Sequence, residues 1–271
     1  MLSSSSNRNS RSVRLVGHFL LGIGLLWVVR AAGNPPVFAF LPWTYFLLLS
    51  DSLFREPGSP EIAENFKIAA TVVLVCALAF PLGWAIEAWL CPRTIDTLLR
   101  RIDLAMALDG FALTRFCQRF PILWATLSVV YGSLAYVMAL SWLIARRSSY
   151  WRASAIGAAF AAALYLLFPA VGPRFVYADW PAASSTFSPD RSGVMRNCMP
   201  SMHLTWAILA AWNVPGKWRI PFAAFAVLTA IAAVANGQHY SIDMLAALPF
   251  AVFVRWISGE PRGRAGRLTK A

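Results

Sequence analysis

The chain has 271 residues, of which 58% are hydrophobic and 13% charged, with a formal net charge of +12. Soluble domains carry about 45–50% apolar and about 25% charged residues, so a soluble globular class is excluded and a polytopic membrane protein is expected. The positive balance does not indicate nucleic acid, because Arg and Lys gather in short loops and at the termini, as the positive-inside bias dictates.

Residues 1–12 form a polar tail, read as disordered and cytoplasmic, with no secretory cleavage pattern behind it. Residues 13–66 read as an N-terminal hydrophobic hairpin. Its first apolar stretch is Val13 to Ala32; its second, Val37 to Phe54, is entered through Asn34-Pro35-Pro36. Residues 67–258 form the expected catalytic transmembrane core, built from apolar stretches of the roughly 17–25 residues that cross a bilayer as helices. The first of these is Ile68 to Leu90. Pro92 to Phe120 reads instead as an amphipathic helix lying in the membrane surface, with Ile95, Leu98, Leu99, Ile102, Ala105 and Met106 on its apolar face; a short soluble helical hairpin is the alternative. Asp96, Arg100, Arg101 and Asp103 are then directed elsewhere. Further spans are expected at Pro121 to Ala145, Trp151 to Phe168, Ser201 to Val214, Ile220 to Ala235 and His239 to Ile257. A long polar loop, Ala170 to Pro200, separates the second and third of these. Residues 259–271 form a basic C-terminal tail. The fold class is therefore all-α: a transmembrane bundle with a six-helix catalytic core, the hairpin and the interfacial helix.

Trp27, Trp89, Trp142, Trp151, Trp218 and Trp256 fall near the ends of apolar stretches, where amphipathic rings prefer to sit. Arg146, Arg147 and Arg152 mark one side as cytoplasmic. Lys217, Arg219, Arg262, Arg264, Arg267 and Lys270 then fall on that side, and the loop Ala170 to Pro200 and the turn at Gly237 on the other. Arg93, Arg100, Arg101, Arg115 and Arg119 would be external, against the bias. Cys91, Cys117 and Cys198 share that external side, which leaves a disulfide among them open; no Cys pair has metal-ligand spacing.

The topology brings two of the three histidines together. His203 follows the long loop and His239 follows the short turn, at similar depth on one face of the membrane. Asp243 is four residues beyond His239, so on a helix the two share a face. An Asp inside a span costs roughly 2.5–3.5 kcal/mol on insertion scales, which a partner or a function must offset. Asp243 is therefore expected to orient the imidazole of His239 as a nucleophile. Arg174 in Gly172-Pro173-Arg174, with Arg191 and Arg196 further along the loop, offers the planar cations that a phosphoryl group needs. Ser201 opens the helix carrying His203, whose free backbone N–H groups suit an anion.

These residues predict in-line attack by His239 on phosphorus, protonation of the leaving oxygen by His203, and charge stabilisation by Arg174. No metal or cofactor is required. The bland readings are a structural His239–Asp243 pair, a snorkelling Arg174, solvated Arg191 and Arg196, a helix-capping Ser201 and an interfacial anchor at Tyr240.

Met199-Pro200-Ser201-Met202-His203 and Gly237-Gln238-His239-Tyr240-Ser241-Ile242-Asp243 resemble the type 2 phosphatidic acid phosphatase superfamily, from about Trp151 onward. The resemblance implies His203, His239 and Asp243 as catalytic but does not assign the phosphate-binding residues, which the chemistry of the side chains alone places at Arg174, Ser201 and Arg196. Ala233 stands where phosphatase members carry an arginine, six residues before the last histidine. That departure and Tyr240 look more like the inositol phosphorylceramide synthase and sphingomyelin synthase branch, which transfers head groups between lipids. The expected function is thus a membrane-embedded lipid phosphotransferase in a bacterial inner membrane, its site on the periplasmic or external face. The alternative is a lipid phosphate phosphatase using water. A zinc hydrolase built on the His/Asp group, a serine protease using Ser201 with His239, and a proton-relaying transporter are the competing classes. Partners are a lipid substrate and the bilayer.

Overall fold

A computed structural model describes residues 59, 60, 63, 64, 67, 86, 87, 89–145, 148–181 and 194–259. The tail 1–12, almost all of the hairpin 13–66, most of the span 68–90, Arg146, Arg147, Arg191 and residues 260–271 of the basic tail lie outside them. The chain divides into two compact units, Met1–Leu82 with Gly132–Leu143, and Gly83–Tyr131 with Ile144–Ala271. The candidate site lies wholly within the second.

Among the described residues every regular element is helical. In chain order they are α1 (Asp96–Ala105), α2 (Gly110–Gln118), α3 (Pro121–Gly132), α4 (Leu134–Ala145), α5 (Ser148–Leu167) and the single turn α6 (Pro173–Val176). Then come α7 (Met202–Asn213), a 3-10 turn (Gly216–Trp218), α8 (Arg219–Ala235) and α9 (Ser241–Ile257). Helix α7 is the hub, packed against α5, α8 and α9. Small residues permit the close approach that apolar helices need when no hydrophobic effect drives them together. Ala207 and Ala210 of α7, and Ala232, Ala233 and Ala235 of α8, are fully buried. At Gly157 of α5 an added Cβ would stand 3.3 Å from the Val254 side chain of α9, tighter than ordinary van der Waals contact.

Helix α5 and the run Gly216–Ala235 are long and apolar enough to cross a membrane, and α3 with α4 qualify only as one broken span. Outward residues of α5, α8 and α9 are large and apolar, including Leu167, Ile220, Val227, Val252 and Trp256, all exposed. Such a surface suits lipid contact and would be a liability in water.

Three expectations change. The span expected at Pro121 to Ala145 is interrupted at Ser133, after Gly132, a weak helix former. The span expected at Ser201 to Val214 is a 12-residue helix, roughly 18 Å long at 1.5 Å per residue and too short to cross a core of about 30 Å. It starts at the Ser201 cap and stops just before Pro215, and eight of its residues are buried, so it is a core helix.

The third change is at the amphipathic segment. It is two helices, parted by a turn in which Ala107 has a positive φ of 57°. The buried face of α1 is Asp96, Leu99 and Asp103, while Leu98, Leu104 and Met106 are half exposed. Asp96 and Asp103 are buried because backbone N–H groups of a neighbouring loop and of the first turn of α9 need acceptors. The two carboxylates supply them.

Candidate active site

Two chain crossings build the site. The first is the loop from Ala170 through Arg174, joined by residues 194–201. Cys198 donates its N–H to the Ala170 carbonyl (3.1 Å), and Ala170 and Asn197 form an isolated parallel bridge. The second is the turn Asn236–Tyr240 between α8 and α9. Arg174 links the two, its N–H donating to the Gly237 carbonyl at 3.0 Å. The crossing is tight enough to demand glycine. Gly172 and Gly237 have φ of +94° and +66°. A Cβ on Gly172 would run into the Gln238 carbonyl, and one on Gly237 would lie 2.6 Å from Trp180 Nε1.

His239 sits in the turn, not on α9, which begins at Ser241. Its Nδ1 lies 3.1 Å from the Cys198 carbonyl and 3.5 Å from Asp243 Oδ2. A carbonyl only accepts, so Nδ1 is the donor in this contact, and in the neutral ring the lone pair falls on Nε2. Asp243 is near for a reason other than helical i,i+4 geometry. It is the third residue of α9, and its Oδ2 also accepts the Tyr240 N–H at 2.9 Å. Oδ1 of the same carboxylate is fully buried and has no hydrogen-bond partner among the described residues. Ser201 Oγ lies 3.4 Å from His239 Nε2 and caps α7 by accepting the Leu204 N–H. The Ser201 N–H itself donates to the Asp243 carbonyl, tying the starts of α7 and α9 together.

His203, one residue into α7, has its ring centroid 6.0 Å from that of His239. Tyr131 of α3 stacks on the His203 ring at 4.2 Å with a 14° interplanar angle, the phenol oxygen 3.3 Å from Nδ1. Arg174 is half buried; its guanidinium donates to the Asn236 carbonyl at the C-terminus of α8, and burial pulls its pKa below the usual value. The structure thus gathers His203, His239, Asp243 and Ser201, and ties Arg174 into the same crossing. Arg196 is not drawn in. Although buried, it donates its backbone N–H to Glu87 Oε2 and its guanidinium to the Val194 carbonyl.

Several contributors carried no motif. Asp96 is fully buried and accepts the N–H groups of Val171 (3.2 Å) and Gly172 (3.1 Å) and the hydroxyl of Tyr240 (2.9 Å). One carboxylate therefore holds the residues just before Arg174 and the residue just after His239. Tyr240 is buried in this role, and the reading of it as an interfacial anchor is overturned. Asp103 accepts the N–H groups of Ser241 and Ile242, both at 2.8 Å, and so caps the helix that carries Asp243. Burial raises its pKa, and those two N–H donors oppose the rise. The available signal was the spacing of Asp96 and Asp103, seven residues apart on one helical face with Leu99 between. For Tyr131, an aromatic within an apolar run, the sequence offers no signal.

Cys91, Cys117 and Cys198 are all free thiols. Cys91 Sγ points to the Leu166 carbonyl and Cys198 Sγ to that of Gln238, so no disulfide joins them.

The sequence profile described as the PAP2 superfamily matches residues 97–257, more than half of the chain. No curated protein and no solved structure matches it.

Proposed function

Since the chain belongs to the PAP2 superfamily, whose chemistry is phosphatase-type phosphoryl transfer on lipid substrates, we propose that it is a membrane-embedded lipid phosphotransferase working through a phosphohistidine on His239. The observation that carries this reading is the Cys198 carbonyl at His239 Nδ1, which leaves the Nε2 lone pair turned toward Ser201 and the side where His203 stands. Nε2 forms the N–P bond as the P–O bond to the leaving alkoxide breaks, and His203, which takes up a proton when the phosphate's negative charge binds beside it, delivers that proton to the leaving oxygen. The new imidazolium keeps its Nδ1–H on the Cys198 carbonyl with the Asp243 carboxylate beside it. An acceptor hydroxyl then gives its proton to His203 while its oxygen displaces Nε2 from phosphorus. Arg174 supports the equatorial oxygens, where a half-buried cation finds its best partner, and the first-turn N–H groups of α7 add to it.

A lipid alcohol as acceptor, as in the inositol phosphorylceramide and sphingomyelin synthase branch, is favoured by two features. Ser201, His239 and Asp243 are buried, which restricts water. The arginine of the phosphatase pattern is replaced by a fully buried Ala233, whose carbonyl accepts the Gln238 N–H. With water as acceptor the same machinery is a lipid phosphate phosphatase. The proposed setting is a bacterial inner membrane with the site on its external face.

The decisive assay gives purified protein a panel of lipid phosphates and head-group lipids, with and without a lipid alcohol such as diacylglycerol or ceramide. Head-group transfer without free phosphate, lost in His239→Ala, is the expected result. Free phosphate lost in the same variant would make it a phosphatase. Turnover that survives His239→Ala, or labelling of Ser201 by a fluorophosphonate, would overturn the phosphohistidine.

A further inference from the structure

Cys198, His239 and Asp243 are all buried, and each offers a ligand atom within 4.8 Å of the other two. A thiol, an imidazole and a carboxylate at that separation form a donor set that zinc accepts, with modest inward movement needed to reach ligand distances of about 2.0–2.3 Å. A second observation points the same way. Asp243 Oδ1 is fully buried and unpartnered, although its sister oxygen serves both the Tyr240 N–H and His239. A buried carboxylate oxygen without a donor is costly, and a cation relieves it.

We propose that Cys198, His239 and Asp243 form an inhibitory site for a soft divalent cation of the zinc class. This rests on the reading of His239 as the nucleophile. The cation takes the Cys198 thiolate, the Asp243 carboxylate and His239 Nδ1. Two negative ligands balance its charge, so the loaded site is neutral, as a low-dielectric interior requires. Coordination at Nδ1 displaces the proton held there by the Cys198 carbonyl. The neutral ring then carries its proton on Nε2 and has no lone pair with which to attack phosphorus. One proton leaves with the thiol. Because that proton is released, binding strengthens as pH rises.

The experiment titrates the purified full-length chain in detergent with cadmium, whose thiolate bond absorbs in the near ultraviolet, and then displaces it with zinc. We expect one cadmium–thiolate band per chain that rises with pH, vanishes in Cys198→Ser, survives Cys91→Ser and Cys117→Ser, and weakens at least about tenfold in His239→Ala. No band in the wild type, or one that persists in Cys198→Ser, overturns the site. None of these readings needs turnover, so they stand apart from the proposed function. Where turnover is measurable, zinc should abolish it and a chelator should restore it. Full turnover with the site loaded overturns the inhibitory role.

Discussion

At the scale of the residue, the proposed reaction turns on which imidazole nitrogen is free. His239 has its Nδ1 fixed by a backbone carbonyl and only supported by Asp243 at 3.5 Å. Asp243→Asn should therefore lower turnover by about 10²–10⁴-fold, while His239→Ala abolishes it and abolishes acid-labile radiolabelling by a phosphate-labelled substrate. If Asp243→Asn matches wild type, the orienting role is lost. Arg174 acts on the substrate's charge, so Arg174→Lys should raise KM about tenfold or more through loss of the planar fork, measured against a panel of head groups. The glycines at the crossing tolerate nothing larger. Gly237→Ala should destabilise the chain by at least about 1 kcal/mol through its left-handed backbone alone, with the approach to Trp180 adding to that. Thermal unfolding in detergent would register it.

At the scale of the element, α1 is the unexpected participant. Its two buried carboxylates work from one face, Asp96 on the Arg174 loop and Tyr240, Asp103 on the first turn of α9. Removing Asp103 leaves two N–H groups without acceptors. Asp103→Ala should cost about 0.5–2 kcal/mol, as a lost helix cap does, and lower kcat because α9 carries Asp243. Asp109 also caps a helix, accepting the Ala112 N–H at the start of α2. Asp109→Ala should cost about 1 kcal/mol yet leave kcat unchanged in the folded fraction. Equal effects of the two variants on kcat would remove α1 from the catalytic arrangement. Tyr240→Phe deletes one hydroxyl from the Asp96 cluster and should slow phosphoenzyme formation with little change in KM.

At the scale of the whole molecule, the apolar outer faces of α5, α8 and α9 account for the composition. The chain should partition with membranes, resist alkaline extraction and need detergent to dissolve. Release by carbonate would contradict this. Non-reducing and reducing electrophoresis should give the same mobility, because Cys91, Cys117 and Cys198 are separate thiols, each with its own surroundings.

The histidine pair, Asp243, Ser201 and Arg174 were legible in sequence because they sit beside helix starts and loop glycines, and such positions leave a local signature. The helical class was legible for a similar reason: length and apolarity are summed along the chain and need no partner. What sequence could not decide was orientation about a helix axis and the choice among equivalent partners. The hydrophobic pattern of α1 set Leu98 and Met106 apart from Asp96 and Asp103 but gave those carboxylates no partners; the structure buries them against N–H groups of residues some 75 to 139 positions away. Arg196 was the weaker candidate for phosphate beside Arg174, and the fold gave its backbone N–H to Glu87 and its guanidinium to Val194 while tying Arg174 to the turn that carries His239. Local chemistry determined which residues are capable of the reaction. Long-range hydrogen bonding, which is invisible until distant segments meet, decided which of them are brought together.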